Sequence, residues 1–184
     1  MKELSLNVLD ITQNSITAGA ENIDISLVED ESHLLTLQIT DDGCGMSPET
    51  VERVVNPFYT TRTTRKVGMG IPLLKLAAEQ TGGELHIESV TRDANPDACG
   101  TKIKATFHTD SIDFTPIGDI VQTICVIIQG HPEIDYTYRH KTPGCDVSLD
   151  TKELRQVLGD VPLSEAEVIA WISEYLVQQY NNEK

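Results

Sequence analysis

The sequence predicts an α/β fold, and three observations carry that expectation. Leu4, Val8, Leu9, Ile11, Thr12, Ser15 and Ile16 recur at helical spacing. Ile23-Ile25-Leu27 and Leu35-Leu37-Ile39 alternate strictly with polar residues, as strands with one buried face do. A second helical segment, Ile71 to Gln80, then precedes two more strand-like runs, Leu85 to Ser89 and Thr101 to Phe107.

In chain order, the first helix should stop near Gly19. The two alternating runs flank an acidic turn, Glu29-Asp30-Glu31-Ser32, and read as an antiparallel hairpin. Ser47 can cap a short helix opened by Pro48, with Thr50 where a capping box would place Glu. Residues 56–70 have no periodicity and are rich in Thr, Arg and Gly, an uncommonly long loop for a compact domain. Gly82-Gly83 ends the second helix. A polar loop with Asp93, Asn95, Pro96 and Asp97 separates the next two strands. A further unit begins near Asp110. Pro116 opens an apolar helix through Ile117, Ile120, Val121, Ile124 and Ile128, closed by Gly130. A hairpin turns at Pro143-Gly144, and Asp150 with Glu153, then Ser164 with Glu167, have capping-box spacing for two last helices.

Composition narrows the function. A chain of 184 residues holds one medium domain, or one domain with an appendage. No run approaches the roughly 20 apolar residues that span a bilayer, and residues 1–10 do not read as a signal peptide, so no membrane role is expected. Cys44, Cys99, Cys125 and Cys145 form no CxxC pair, which fits reduced thiols in the cytoplasm rather than a zinc site or disulfide framework. The net charge of −15 argues against nucleic acid as a partner. Five of the fourteen basic residues nevertheless fall between Arg53 and Lys75, where there is no Asp or Glu. That window fits a small polyanion such as a nucleotide's phosphates, or a basic loop offsetting its acidic surroundings.

Asp41-Asp42-Gly43-Cys44-Gly45-Met46 leaves the second strand. Asp41 offers a carboxylate to an amino-bearing ring, and Gly43 and Gly45 let the backbone turn and a flat ligand approach. Alone, these residues read more commonly as an Asp-Gly turn between secondary-structure elements. Cys44 fits a small buried residue. Asp10 and Asn14 lie one turn apart on one helix face. An Asn oxygen suits Mg²⁺, and a carboxylate can polarise an attacking water, although such a pair is also ordinary on a solvated face. Gly68-Met69-Gly70 stands at a helix start behind Thr60, Thr61, Arg62, Thr63, Thr64, Arg65 and Lys66, where backbone N–H groups and the helix dipole favour phosphate. No Walker sequence occurs. His86 and His108 read as strand-face residues; His140, between Arg139 and Lys141, is less easily set aside.

In this order the segments resemble the GHKL superfamily of ATPases, whose members include sensor histidine kinases, DNA gyrase subunits, a heat-shock chaperone and the MutL mismatch-repair ATPases. Residues 10–20 look like its N box, 41–46 its DxGxG box, Asn56-Pro57-Phe58-Tyr59-Thr60-Thr61-Arg62 its F box, and 68–73 its last glycine box, with Gly100-Thr101 closing the series. The resemblance covers about residues 4 to 108. It implies a two-layer α/β sandwich of the Bergerat type with a mixed sheet, an ATPase domain over 1–110 and a small α+β unit over 111–184. It also implies ATP or ADP as ligand with Mg²⁺. Asp41 would bind the adenine amino group, Asn14 would hold Mg²⁺, and residues 56–70 would form the lid. Gly68 and Gly70 would meet the phosphates, and Thr101 would lie beside the adenine. Ala18, Gly43, Gly45, Met46, Phe58, Thr61, Arg62, Arg65, Lys66 and Met69 complete the expected nucleotide site, with Asp10 as the catalytic residue.

This chain departs from the pattern where catalytic members usually carry Glu, because Asp10 is one methylene shorter. A histidine kinase also needs a phospho-acceptor His ahead of the N box, and only three residues precede this helix. The expectation is therefore a stand-alone ATP-binding protein that hydrolyses ATP or passes its γ-phosphate to a protein in trans. The rival is a non-catalytic, ATP-gated interaction module. A partner-binding or homodimerising role for 111–184 follows only from its lack of catalytic motifs.

Overall fold

The structure, a computed structural model, describes residues 3–56 and 69–182. Its elements are α1 (Leu4–Thr17), β1 (Asn22–Glu29), β2 (Leu34–Asp41), α2 (Pro48–Val54), α3 (Gly70–Gln80), β3 (Leu85–Val90), β4 (Gly100–His108), α4 (Ile120–Gly130), β5 (Asp135–Thr142), β6 (Cys145–Asp150), α5 (Thr151–Leu158) and α6 (Ala166–Asn182). The strands form one mixed six-stranded sheet in the order β3-β4-β2-β1-β5-β6. Among the described residues only the β1–β5 pair is parallel, and the other neighbouring pairs are antiparallel. The segment after residue 110 thus continues the sheet, with Ile25 opposite Tyr138 across the β1–β5 pair.

Strict alternation decides which face is covered. Ile23, Ile25 and Leu27 of β1, Leu35, Leu37 and Ile39 of β2, and Ile103, Ala105 and Phe107 of β4 are buried on one side. Each such side chain contributes about 1.5–3 kcal/mol when fully buried, less for alanine. Helices α1, α3 and α6 pack against the sheet, and α4 lies between α1 and α6. Leu4, Val8 and Ile11 give α1 its buried stripe, while Asp10 and Asn14 stay exposed.

Most element boundaries follow the local signals. Ser47 caps α2 by accepting from Thr50 N–H, and Asp150 caps α5 by accepting from Lys152 and Glu153 N–H. The fourth helix does not start at Pro116. It starts at Ile120 behind an Asp119 cap that accepts from Gln122 N–H at 2.9 Å. Gly118 at φ +77° breaks the helix there. The Pro116 and Ile117 carbonyls instead accept from Leu4 and Ser5 N–H at 2.9 and 2.8 Å. They satisfy donors at the start of α1, where Glu3 offers no side-chain cap.

Candidate functional site

The Asp41 turn is held from three sides. β2 ends at Asp41, which sits opposite Ile23 of β1 and Thr101 of β4. Oδ2 of Asp41 accepts from the Ser15 hydroxyl at 2.5 Å, and Oδ1 accepts from Gly43 N–H at 3.0 Å. Each oxygen keeps a lone pair for a further donor, which an exocyclic amino group supplies. A Cβ on Gly43 would stand 2.9 Å from Ala18 Cβ and 3.1 Å from Ala18 O, so no side chain fits there. Ala18 O also accepts from Cys44 N–H at 2.9 Å, tying the turn to the end of α1.

Gly45 takes φ +70°, and a Cβ there would collide with the Val90 carbonyl. Met46 N–H donates to Ser89 Oγ at 2.7 Å. Ser89 Oγ in turn lies 2.8 Å from Thr101 Oγ1 and 3.0 Å from Gly100 O. Asp41, Gly43, Gly45, Met46 and Thr101 are therefore brought together, as the motifs imply. Cys44 is exposed rather than buried, because the flanking glycines pack their backbone inward and leave its side chain outside.

The two adjacent aspartates have different work. Asp42 accepts from Glu21 N–H, Asn22 N–H and Asn22 Nδ2 at 2.8, 2.9 and 2.7 Å. Burial pushes its carboxyl up, but these donors outweigh that and leave it below its ordinary value. Asp42 is a structural clamp, whereas each Asp41 oxygen accepts a single hydrogen bond.

At the other end, Gly70 opens α3 against α1. A Cβ on Gly70 would lie 3.0 Å from Asp10 Cβ and 3.6 Å from Asp10 Oδ2. The N-terminus of α3 thus meets Asp10 one turn before Asn14. Although Asp10 is exposed as a whole, partial desolvation of its carboxyl raises it above its ordinary value of 3.8. Asn14 is exposed and makes no side-chain hydrogen bond among the described residues, so its amide oxygen is available to a cation. Met69 precedes Gly70 and is exposed. Phe58, Thr61, Arg62, Arg65, Lys66 and Gly68 lie outside the described residues.

Sequence reading placed Ser15 on the helical stripe but not its bond to Asp41, and it missed Ser89, the hydroxyl that holds Met46. The available signal was a polar residue on an apolar face: Ser15 is buried and follows Ile11 by one turn. His86 and His108 are exposed on strands β3 and β4, as expected. His140 is buried; its Nδ1 lies 2.8 Å from the Tyr180 hydroxyl, itself 2.7 Å from that of Tyr138.

The mixed sheet, the helices on one face and the glycine-lined turn beside an Asn-bearing helix define the class of α/β nucleotide-binding ATPase domains. The chain belongs to the family of histidine kinase-, DNA gyrase B- and HSP90-like ATPases, whose family model matches residues 1–111. It is 27% identical over 109 residues to a putative sensor protein of Shewanella frigidimarina, covering 58% of this chain and 16% of that one. It is 30% identical over 91 residues to sporulation kinase C of Bacillus subtilis (48% and 20%). To the DNA mismatch repair protein MutL of Clostridium perfringens it is 40% identical over 55 residues (30% and 8%). The chain thus spans only a small part of the curated relatives it matches. In fold it is similar to the N-terminal domain of a DNA repair protein, with TM-score 0.59, 18% identity, and 87% of this chain and 58% of that one covered. It is likewise similar to the Aquifex aeolicus MutL ATPase domain complexed with ADP, with TM-score 0.56, 14% identity, and 86% and 69% covered. No helix among the described residues is long and apolar enough to cross a membrane.

Proposed function

We propose that this chain binds Mg-ATP and hydrolyses it or passes its γ-phosphoryl group to a protein in trans, in bacterial-type signalling in the cytoplasm. The observation that carries this reading is the Asp41 carboxylate, fixed by Ser15 and Gly43 but with acceptor capacity left over, beside glycines that admit no side chain. Adenine would donate its amino group to Asp41. The MutL ATPase domain of similar fold was solved with ADP, which supports the same ligand here.

Asn14 would hold Mg²⁺, which supplies charge neutralisation on the phosphate oxygens. Asp10 would accept the proton of the attacking water or hydroxyl as its oxygen bonds to the γ-phosphorus and the bond to ADP breaks. A carboxyl raised by burial is the better base for that step. The α3 N-terminus beside Asp10 supports a phosphate position within reach of both groups. Arg62, Arg65, Lys66 and Gly68 are assigned here to the phosphates, and Phe58 and Thr61 to the lid, on the family pattern.

Asp10 also favours a second reading, in which ATP is sensed without turnover and lid closure changes a surface read by a partner. Titration calorimetry and a turnover assay separate the outcomes. Asp41→Asn should sharply weaken ATP binding; unchanged affinity means the adenine site lies elsewhere. Turnover that falls with Asn14→Ala and rises with Asp10→Glu supports the enzyme. Tight Mg-ATP binding with neither turnover nor labelling of any protein supports the sensor.

A further inference from the structure

An apolar groove of about 410 Å³ runs between α5, α6 and strands β5 and β6, with no residue of the 41–46 turn in its lining. Leu149 and Leu154 are buried beneath it, while Val157 is 84% exposed and Trp171 49% exposed on its walls. Trp171 stacks on Tyr175 one helical turn later, with centroids 4.9 Å apart and planes within 10°. Exposed Trp and Tyr side by side are residue types enriched at the energetic centres of protein interfaces.

We infer that this groove docks a helical segment of another protein that carries apolar anchors flanked by Lys or Arg. Three features select that occupant. First, the groove's arginine and one of its two acids are already engaged. Arg139 makes a two-pronged pair with Asp146 at 3.0 and 2.7 Å, and the Asp150 side chain accepts from two backbone N–H groups of α5. Among the described residues no buried unpartnered polar atom lines it, as one would in a site built around a small polar ligand. Second, an added β-strand is blocked. Gln179 of α6 grips β6 as a strand would, its Oε1 accepting from Ser148 N–H at 3.1 Å and its Nε2 donating to Ser148 O at 3.0 Å. The occupant therefore binds through side chains, as a helix in a groove does. Third, the charge is one-sided. With Arg139 neutralised by Asp146, Asp150 and Glu153 leave the rim negative. A second copy of a chain of net charge −15 would bring more negative charge to it, whereas a basic flank complements it.

Trp171 is the only tryptophan in the chain, so its emission reports on the groove directly. The test is a panel of synthetic amphipathic peptides of about 16 residues, with Leu or Phe pairs one turn apart. Each is made with Lys flanks and again with Glu flanks, and titrated by Trp171 fluorescence and by anisotropy of labelled peptide. Lys-flanked members should bind saturably, blue-shift Trp171 and weaken as salt rises. Trp171→Ala should cut affinity roughly thirtyfold. Val157→Lys, a change at an exposed position that leaves folding intact, should also cut it severalfold. ATP binding should be the same in both variants, so the groove succeeds or fails independently of the nucleotide site. Three results overturn the inference: no peptide moves the Trp171 spectrum at millimolar concentration, Glu-flanked peptides bind as well, or the spectrum shifts with protein concentration alone. The last makes a second copy the occupant.

Discussion

Ser15 and Asp41 stand 26 positions apart in sequence, yet the Ser15 hydroxyl donates to Asp41 Oδ2 at 2.5 Å. The bond joins the buried face of α1 to the end of β2. It sets the plane of the carboxylate proposed to meet the nucleotide, so α1, which carries Asn14, and β2, which ends at Asp41, are aligned by one contact.

Ser15→Ala should therefore weaken ATP binding without abolishing it. Losing a hydrogen bond to a charged group costs about 1.5–3 kcal/mol, of which the binding step should feel roughly 1 kcal/mol, or a severalfold rise in Kd. Calorimetry on Ser15→Ala and Ser15→Thr checks this, with Thr expected to retain much of the affinity.

Gly45→Ala should destabilise the fold by about 2–4 kcal/mol, because a Cβ meets the Val90 carbonyl and φ +70° is strained for any other residue. Gly144→Ala is the control. A Cβ there has nothing within 4 Å, and its melting temperature should stay within a degree or two of the parent's.

Acid should loosen the C-terminal half before the rest. Burial lowers the His140 pKa below its ordinary 6.5, only partly opposed by the nearby Glu29 carboxylate. Below pH 6.5 the unfolded chain takes up a proton that the folded chain refuses. The stability contribution is thus complete above 6.5 and lost as pH falls towards the folded value, at no more than about 1.4 kcal/mol per pH unit. Urea unfolding of the parent and of His140→Phe across this window should give a slope in the first and a flatter line in the second. Asp42 acts lower, since its depressed carboxyl loses stability only as pH falls below about its ordinary 3.8.

Gly118→Ala should destabilise by about 1–2 kcal/mol through its φ of +77°. The added methyl also meets the Glu3 side chain. The carbonyls of Pro116 and Ile117 cap α1, so hydrogen exchange at Leu4 and Ser5 should quicken more than in α6.

The elements were legible where neighbours in sequence decide them. Alternation at 23–27 and 35–39 and the caps at Ser47 and Asp150 each depend on a few adjacent residues. Pro116 misled because its local signal is a helix start, while the carbonyls that follow are taken by residues more than a hundred positions away. Cys44 misled for a similar reason, since its exposure depends on how Gly43 and Gly45 pack against Ala18 and Val90.

By itself the sequence determined the strand and helix pattern, the acidic charge, and the order of motifs that marks an ATPase of this family. These are properties of short segments and of their order along the chain. Only the tertiary structure decided that Asp42 clamps the start of β1, and that Ser15 and Ser89 hold the turn. It also decided that β5 joins the ATPase sheet beside β1 and that Trp171 stays at a groove. The physical reason is common to all of these: a hydrogen bond or a packing contact between distant residues exists only once the sheet brings them to the same place.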